Sequence, residues 1–123
     1  MITRITRISR IFPLVVLSWI TPGALAAGDE AKGQAFFNSA CLHCHAPGRA
    51  GPPYTGIFGR KAGTIPDFGY SEALRKSNIV WNDETLDAWL SGPDKLVPGT
   101  FMGVTIRNPE DRANVIAYLK VRK

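Results

Sequence analysis

The sequence predicts an all-α fold, one small domain of about four helices joined by extended loops. Polar N-caps stand ahead of apolar stripes with helical spacing, no strand–helix alternation is visible, and Gly and Pro recur every few residues through the middle of the chain.

The N-terminal segment reads as a cleavable secretory signal. Arg4, Arg7 and Arg10 form a positive region, and Ile11 to Ile20 is apolar apart from Pro13 and Ser18. Ala24-Leu25-Ala26 then supplies small residues for cleavage after Ala26. The apolar stretch is well short of the roughly 18 to 20 residues that a spanning helix needs. The expected organisation is therefore a signal over 1–26 and one domain over 27–123, a mature chain of 97 residues. A core of that size gains from any apolar group held covalently inside it.

Four segments read as helices. Asp29 is the N-cap of the first, which carries Ala31, Ala35, Phe36 and Phe37 and ends near Ala40. Ser71 caps a short helix through Lys76, and Asn82 or Asp83 caps a third with Leu86, Trp89 and Leu90, stopped at Gly92-Pro93. In the last, Asn108 is the N-cap and Pro109 occupies N1. Glu110 and Asp111 suit the first-turn dipole, and Val115, Ile116 and Leu119 form the apolar face. Between Pro47 and Phe68, by contrast, Gly48, Gly51, Pro52, Pro53, Gly56, Gly59, Gly63 and Pro66 forbid a long helix or paired strands. A structureless loop of about twenty residues normally has a functional reason, and wrapping the edge of a flat cofactor is one.

Charge excludes one function class. Three of the 15 Lys+Arg fall in the signal, which leaves 12 against 10 Asp+Glu, a net of +2 rather than the +5 of the whole sequence. A basic patch for nucleic acid is not supported.

The chemistry concentrates in Cys41-Leu42-His43-Cys44-His45, which holds the only two cysteines and the only two histidines of the sequence. Two thiols three apart with an imidazole after the second is the arrangement that attaches a c-type haem, each thiol adding to a porphyrin vinyl group and His45 turning back to the iron. Three other readings compete. A redox dithiol wants a helix N-terminus in a strand–helix pattern. A structural zinc site wants four ligands, usually from two separated pairs, and one five-residue turn supplies them poorly. A disulfide leaves His45 without a task. In an oxidising compartment, haem attachment also has to compete with that disulfide.

Opposite His45 the candidates are His43, Met102, a lysine or no ligand. His43 lies between the two attachment points and does not reach the other face. Met102 is the only methionine besides the initiator, and it sits in the loop Val97-Pro98-Gly99-Thr100-Phe101-Met102 rather than on an apolar helix face. That position favours a ligand over core filler. A thioether stabilises ferrous iron and raises the potential.

The chain resembles a class I cytochrome c of the mitochondrial and bacterial cytochrome c2 type over essentially all of 27–123. The resemblance runs through Gly33 and Phe37, Cys41 to His45, Gly51-Pro52 and Gly56-Ile57-Phe58-Gly59-Arg60-Lys61-Ala62-Gly63. It continues through Phe68-Gly69-Tyr70-Ser71, Trp81, Thr85-Leu86, Trp89-Leu90, Val97 to Met102 and Ile116-Ala117-Tyr118-Leu119-Lys120. It implies a small all-α cytochrome c fold around one covalently attached haem c, with thioethers from Cys41 and Cys44, His45 proximal and Met102 distal. The Pro52 carbonyl is implied to take the His45 Nδ1 proton, Arg60, Tyr70 and Trp81 to hydrogen-bond a propionate, and Thr100 to order the polar network beside Met102. Gly33 and Phe37 are implied to pack on Val115 and Tyr118 where the first and last helices cross.

Departures from the family pattern matter as much. Trp89 stands where a tyrosine usually meets the ligand sulfur, and Leu74 where a polar residue is common. Together they lead to the expectation of a less hydrogen-bonded distal side. Around the exposed haem edge, Ala35, Ala40, Asp94 and Phe101 replace the usual lysines while Lys95 is retained, which implies a more apolar partner interface. The segment from His45 to Pro52 is shorter than in mitochondrial members, which points to a bacterial periplasmic protein.

The function implied is a one-electron carrier with no catalytic residue, a monomer with no nucleic acid and no stable membrane insertion. Its partners would be redox proteins, a bc1 complex or periplasmic dehydrogenase as donor and a terminal oxidase or reaction centre as acceptor. Two other classes stand beside it, a sensor or enzyme whose Met102 dissociates to admit a small ligand, and a haem domain fixed in a larger complex.

Overall fold

The computed structural model describes residues 27–123, so the signal expected over 1–26 lies outside the described residues. Six helices follow in chain order: α1 (Glu30–Ala40), α2 (Leu42–His45), α3 (Glu72–Lys76), α4 (Asp83–Ser91), α5 (Pro93–Leu96) and α6 (Pro109–Lys120). Four are those expected. The other two, α2 and α5, are four-residue turns without a side-chain N-cap, and such short turns lack a periodic signature.

The caps explain the boundaries. Asp29 accepts from the Lys32 amide, Ser71 from that of Leu74, and Asn108 from that of Glu110. At α4 the cap is reciprocal: Asn82 accepts from the Thr85 amide while the Thr85 hydroxyl accepts from the Asn82 amide. Each cap satisfies amides that the first helical turn leaves unpaired.

Helices α1 and α6 form the most extensive helix pair, and α4 packs on α6. Close approach at the α1–α6 crossing depends on Gly33, where a Cβ would lie 1.9 Å from the Asn114 carbonyl oxygen and 3.0 Å from the Tyr118 Cβ. The neighbours expected from the resemblance were Val115 and Tyr118; Tyr118 is beside Gly33, but the backbone of Asn114 is nearer still. Asn114 is itself buried, and its Oδ1 accepts from the Asp29 amide at 2.7 Å, which ties the start of α1 to the middle of α6. Around this crossing Phe37, Leu86, Trp89, Leu90, Val115, Ile116, Tyr118 and Leu119 form the core.

The Gly/Pro-rich stretch is ordered by local turns and two anchors. Gly59 (φ 78°) and Gly63 (φ 71°) take left-handed turns that a side chain would strain. An isolated antiparallel bridge joins Lys61 to Val80, flanked by Ala62 N–H to Ile79 C=O at 2.8 Å and Trp81 N–H to Arg60 C=O at 3.0 Å. The Gly56 amide donates to the Arg122 carbonyl at 2.7 Å, which fastens the loop to the end of α6.

Candidate functional site

One cavity of about 310 Å³ opens between α2, the glycine-rich loop, α4 and the loop after α5. That volume lies within the range of about 300–1,000 Å³ typical of small-molecule sites. All nine residues singled out from the sequence line it: Cys41, Cys44, His45, Pro52, Arg60, Tyr70, Trp81, Thr100 and Met102. Its floor is apolar, made by Phe37, Ile57, Leu74, Leu86, Leu90, Val115 and Leu119.

On the α2 side the short helix follows α1 directly, because the Cys41 amide still donates to the Phe37 carbonyl while the His45 amide turns back to the Cys41 carbonyl at 2.9 Å. This turn brings both thiols and the imidazole to one wall. The His45 Nδ1–H donates to the Pro52 carbonyl at 2.8 Å. A carbonyl only accepts, so the proton sits on Nδ1 and the Nε2 lone pair is free to bind a metal. Gly51 makes room for the ring: a Cβ there would lie 2.8 Å from Nδ1 and 2.9 Å from Cε1.

Cys41 and Cys44 are free thiols, Cys41 partly buried and Cys44 exposed. Burial, with Cys44 as the lesser cause, pushes the Cys41 thiol up to about 11. A reactive dithiol wants the opposite shift. Among the described residues no cluster of three or more His, Cys, Asp or Glu side chains is arranged to hold a metal ion, so the zinc reading has no geometry behind it.

On the distal side Trp89, buried on α4, donates its indole N–H to the Met102 sulfur at 3.2 Å. The sulfur thus keeps a donor although tryptophan stands where tyrosine is usual, so the expected loss of hydrogen bonding does not extend to Met102. The indole is long enough to reach the sulfur from the α4 backbone, and Trp81 packs against it edge-on with ring centroids 5.3 Å apart. Leu74 is buried beside the cavity, as an apolar residue should be there.

The expected propionate residues are partly committed elsewhere. One Arg60 guanidinium nitrogen donates to the Thr55 carbonyl at 2.6 Å, and burial raises the Tyr70 phenol above its ordinary value. The Trp81 indole N–H has no protein acceptor among the described residues. The Thr100 amide donates to the Val97 carbonyl at 3.1 Å. Sequence reasoning missed Tyr54, whose ring lies 4.4 Å from that of Phe37, which in turn lies 6.4 Å from the His45 ring. A single aromatic in a turn-rich stretch gives no periodic signal.

Two thiols, an imidazole with a free Nε2, a thioether and an apolar floor line one cavity, a donor set whose chemistry fits a covalently attached haem. The cytochrome c family model matches residues 30–123. The chain belongs to the cytochrome c family. It is 43% identical over 109 residues to cytochrome c2 of Rhodomicrobium vannielii, covering 84% of this chain and 86% of that protein. Identity to cytochrome c of Euglena viridis is 40% over 101 residues, or 78% of this chain and 99% of the other. Among solved structures, cytochrome cH from Methylobacterium extorquens superposes with a TM-score of 0.70 at 38% identity, over 76% of this chain and 98% of that one. Cytochrome c proteins carry one covalently attached haem c and act as electron carriers rather than enzymes. The fold is accordingly the all-α cytochrome c fold. No helix among the described residues is long and apolar enough to cross a membrane.

Proposed function

We propose that this cytochrome c is a periplasmic one-electron carrier, exported through a signal over 1–26, with His45 and Met102 as the residues that would ligate its iron. The observation that carries the ligation is the 2.8 Å bond from His45 Nδ1–H to Pro52, which fixes the only tautomer able to ligate through Nε2. Cys41 and Cys44 would hold the group covalently. When bound, the haem supplies an Fe(III)/Fe(II) couple.

The rest of the chain keeps that couple reversible. Pro52 and Gly51 set the imidazole plane, and Trp89 holds the Met102 sulfur from behind. The apolar floor excludes water. Trp81, Tyr70 and Arg60 would hold the propionate charge at the polar edge, with Thr100 ordering the polar network beside Met102. No proton needs to move for an electron to pass. Redox proteins of the exported compartment are the partners, a bc1 complex or dehydrogenase on one side and an oxidase or reaction centre on the other.

The test is a spectrum of the holoprotein purified from periplasm. The ferric form should show the far-red charge-transfer band of a thioether ligand, and Met102→Ala should abolish it and let the ferrous form bind carbon monoxide readily. A band unchanged in Met102→Ala would refute the ligation. A mature N-terminus other than near Ala27, or retention in the cytoplasm, would refute the export.

A further inference from the structure

The segment from Val97 to Arg107 carries Met102, and among the described residues its backbone is hydrogen-bonded to other backbone only at its ends. At the start the Val97 amide donates to the Pro93 carbonyl at 2.8 Å and the Thr100 amide to the Val97 carbonyl at 3.1 Å. No backbone–backbone hydrogen bond involves Phe101 through Thr105 among the described residues. At the far end the Ile106 amide donates to the Leu90 carbonyl at 2.7 Å.

That far end has a second fastening, made by a side chain. Arg112, in the first turns of α6, donates from Nη1 to the carbonyls of Ile106 at 3.0 Å and Arg107 at 3.1 Å. Its Nε donates to Asp87 Oδ1 on α4 at 2.7 Å. The Arg112 side chain is only 13% exposed, whereas that of Asp87 is 46% exposed. The guanidinium fork can serve two carbonyls and a carboxylate at once only when its plane is fixed, and Asp87 fixes it. Helix α4 thus supplies three contacts to one strap: Asp87 through Arg112, Leu90 through its carbonyl, and Trp89 at the sulfur.

We propose that Arg112, oriented by Asp87, is a positioning residue that sets where the Met102 strap leaves the core and so resists departure of the sulfur from the iron. The inference rests on the reading of Met102 as an iron ligand. A carrier gains from this clamp because its ligands must stay in place in both oxidation states. The clamp acts at a distance of four residues from Met102, through the backbone of the strap rather than by contact.

The test measures how fast imidazole replaces the sulfur in the ferric holoprotein, because Met102 must leave first. Asp87→Ala and Arg112→Lys should each speed that replacement by roughly three- to tenfold, the factor expected from losing part of a charge-assisted hydrogen bond. Asp87→Glu should restore a rate near wild type. Lys120→Ala provides the control. Lys120 Nζ pairs with Asp83 on α4 at 2.9 Å, joining the same two helices without touching the strap. It should leave the rate unchanged even if thermal stability drops as much as in Asp87→Ala. Equal acceleration in Lys120→Ala and Asp87→Ala would overturn the proposal in favour of general loosening, and so would an unaltered rate in both Asp87→Ala and Arg112→Lys. Failure of the underlying ligation looks different: the wild type would lack the far-red band, and Met102→Ala would not change imidazole binding.

Discussion

Replacing Gly51 by alanine puts the proximal geometry to a direct test. The added Cβ would stand 2.8 Å from His45 Nδ1, 2.9 Å from Cε1 and 3.0 Å from the Cys44 carbonyl oxygen, whereas ordinary contact begins at 3.4 Å. Either the ring or the loop must therefore move by about 0.6 Å. Both routes reach the same result, because the loop that carries Gly51 also carries the Pro52 acceptor. A bond of 2.8 Å that lengthens by this amount passes the limit of about 3.2 Å for a good N–H···O contact. Losing the bond makes the imidazole a poorer donor and stabilises ferric iron less, so the reduction potential rises. A hydrogen bond worth about 0.5–1.5 kcal/mol sets the ceiling, and at 59 mV per tenfold for one electron this is roughly 20–65 mV. Redox titration of the two holoproteins measures it. Gly69→Ala is the control, since a Cβ at Gly69, also on the cavity wall, meets nothing within 4 Å. A potential in Gly51→Ala equal to that of wild type, or an equal shift in Gly69→Ala, would refute the reasoning.

At Met102, the ligand proposed above, Trp89→Phe keeps a ring but removes the N–H that the sulfur accepts at 3.2 Å. The sulfur then donates more strongly to the iron, and the potential should fall by up to about 60 mV in the same titration. Gly33→Ala sets a Cβ 1.9 Å from the Asn114 carbonyl oxygen and forces α1 from α6; thermal unfolding should report a loss of about 1–3 kcal/mol or more. At the mouth of the cavity Phe101 is 80% exposed and Val104 is 45% exposed, so electron transfer to an acidic partner should depend only weakly on salt. Phe101→Lys should steepen that dependence in stopped-flow measurements, and a steep dependence already present in wild type would count against an apolar interface.

Polar residues at helix starts were the most legible part of the fold. Asp29, Ser71, Asn82 and Asn108 each announce an N-terminus because a cap is a local contract between one side chain and an amide two or three residues on. The pentapeptide from Cys41 to His45 is legible for the same reason, as its chemistry lies within a single turn. What the sequence concealed is long-range. Asn114 looks like an unremarkable polar residue until its partner, the Asp29 amide, is seen 85 residues away. Arg112 reads as one more surface charge, yet it is mostly buried and divides its guanidinium among Asp87, Ile106 and Arg107. Neither contact leaves a periodic trace, and neither is dictated by residue type.

The two distal departures make sense only together. A tyrosine hydroxyl donates one hydrogen bond and also accepts, so it asks for a further polar neighbour; an indole N–H donates once and ends the chain. With its single proton spent on the Met102 sulfur, Trp89 calls for no further polar partner, and a buried Leu74 beside the cavity adds no polar group to satisfy. The wall that faces Met102 is thus built from a fixed donor and apolar packing, with Trp81 edge-on behind it. Few dipoles there can reorient when a charge nearby changes, which is the property an electron carrier requires around its cofactor.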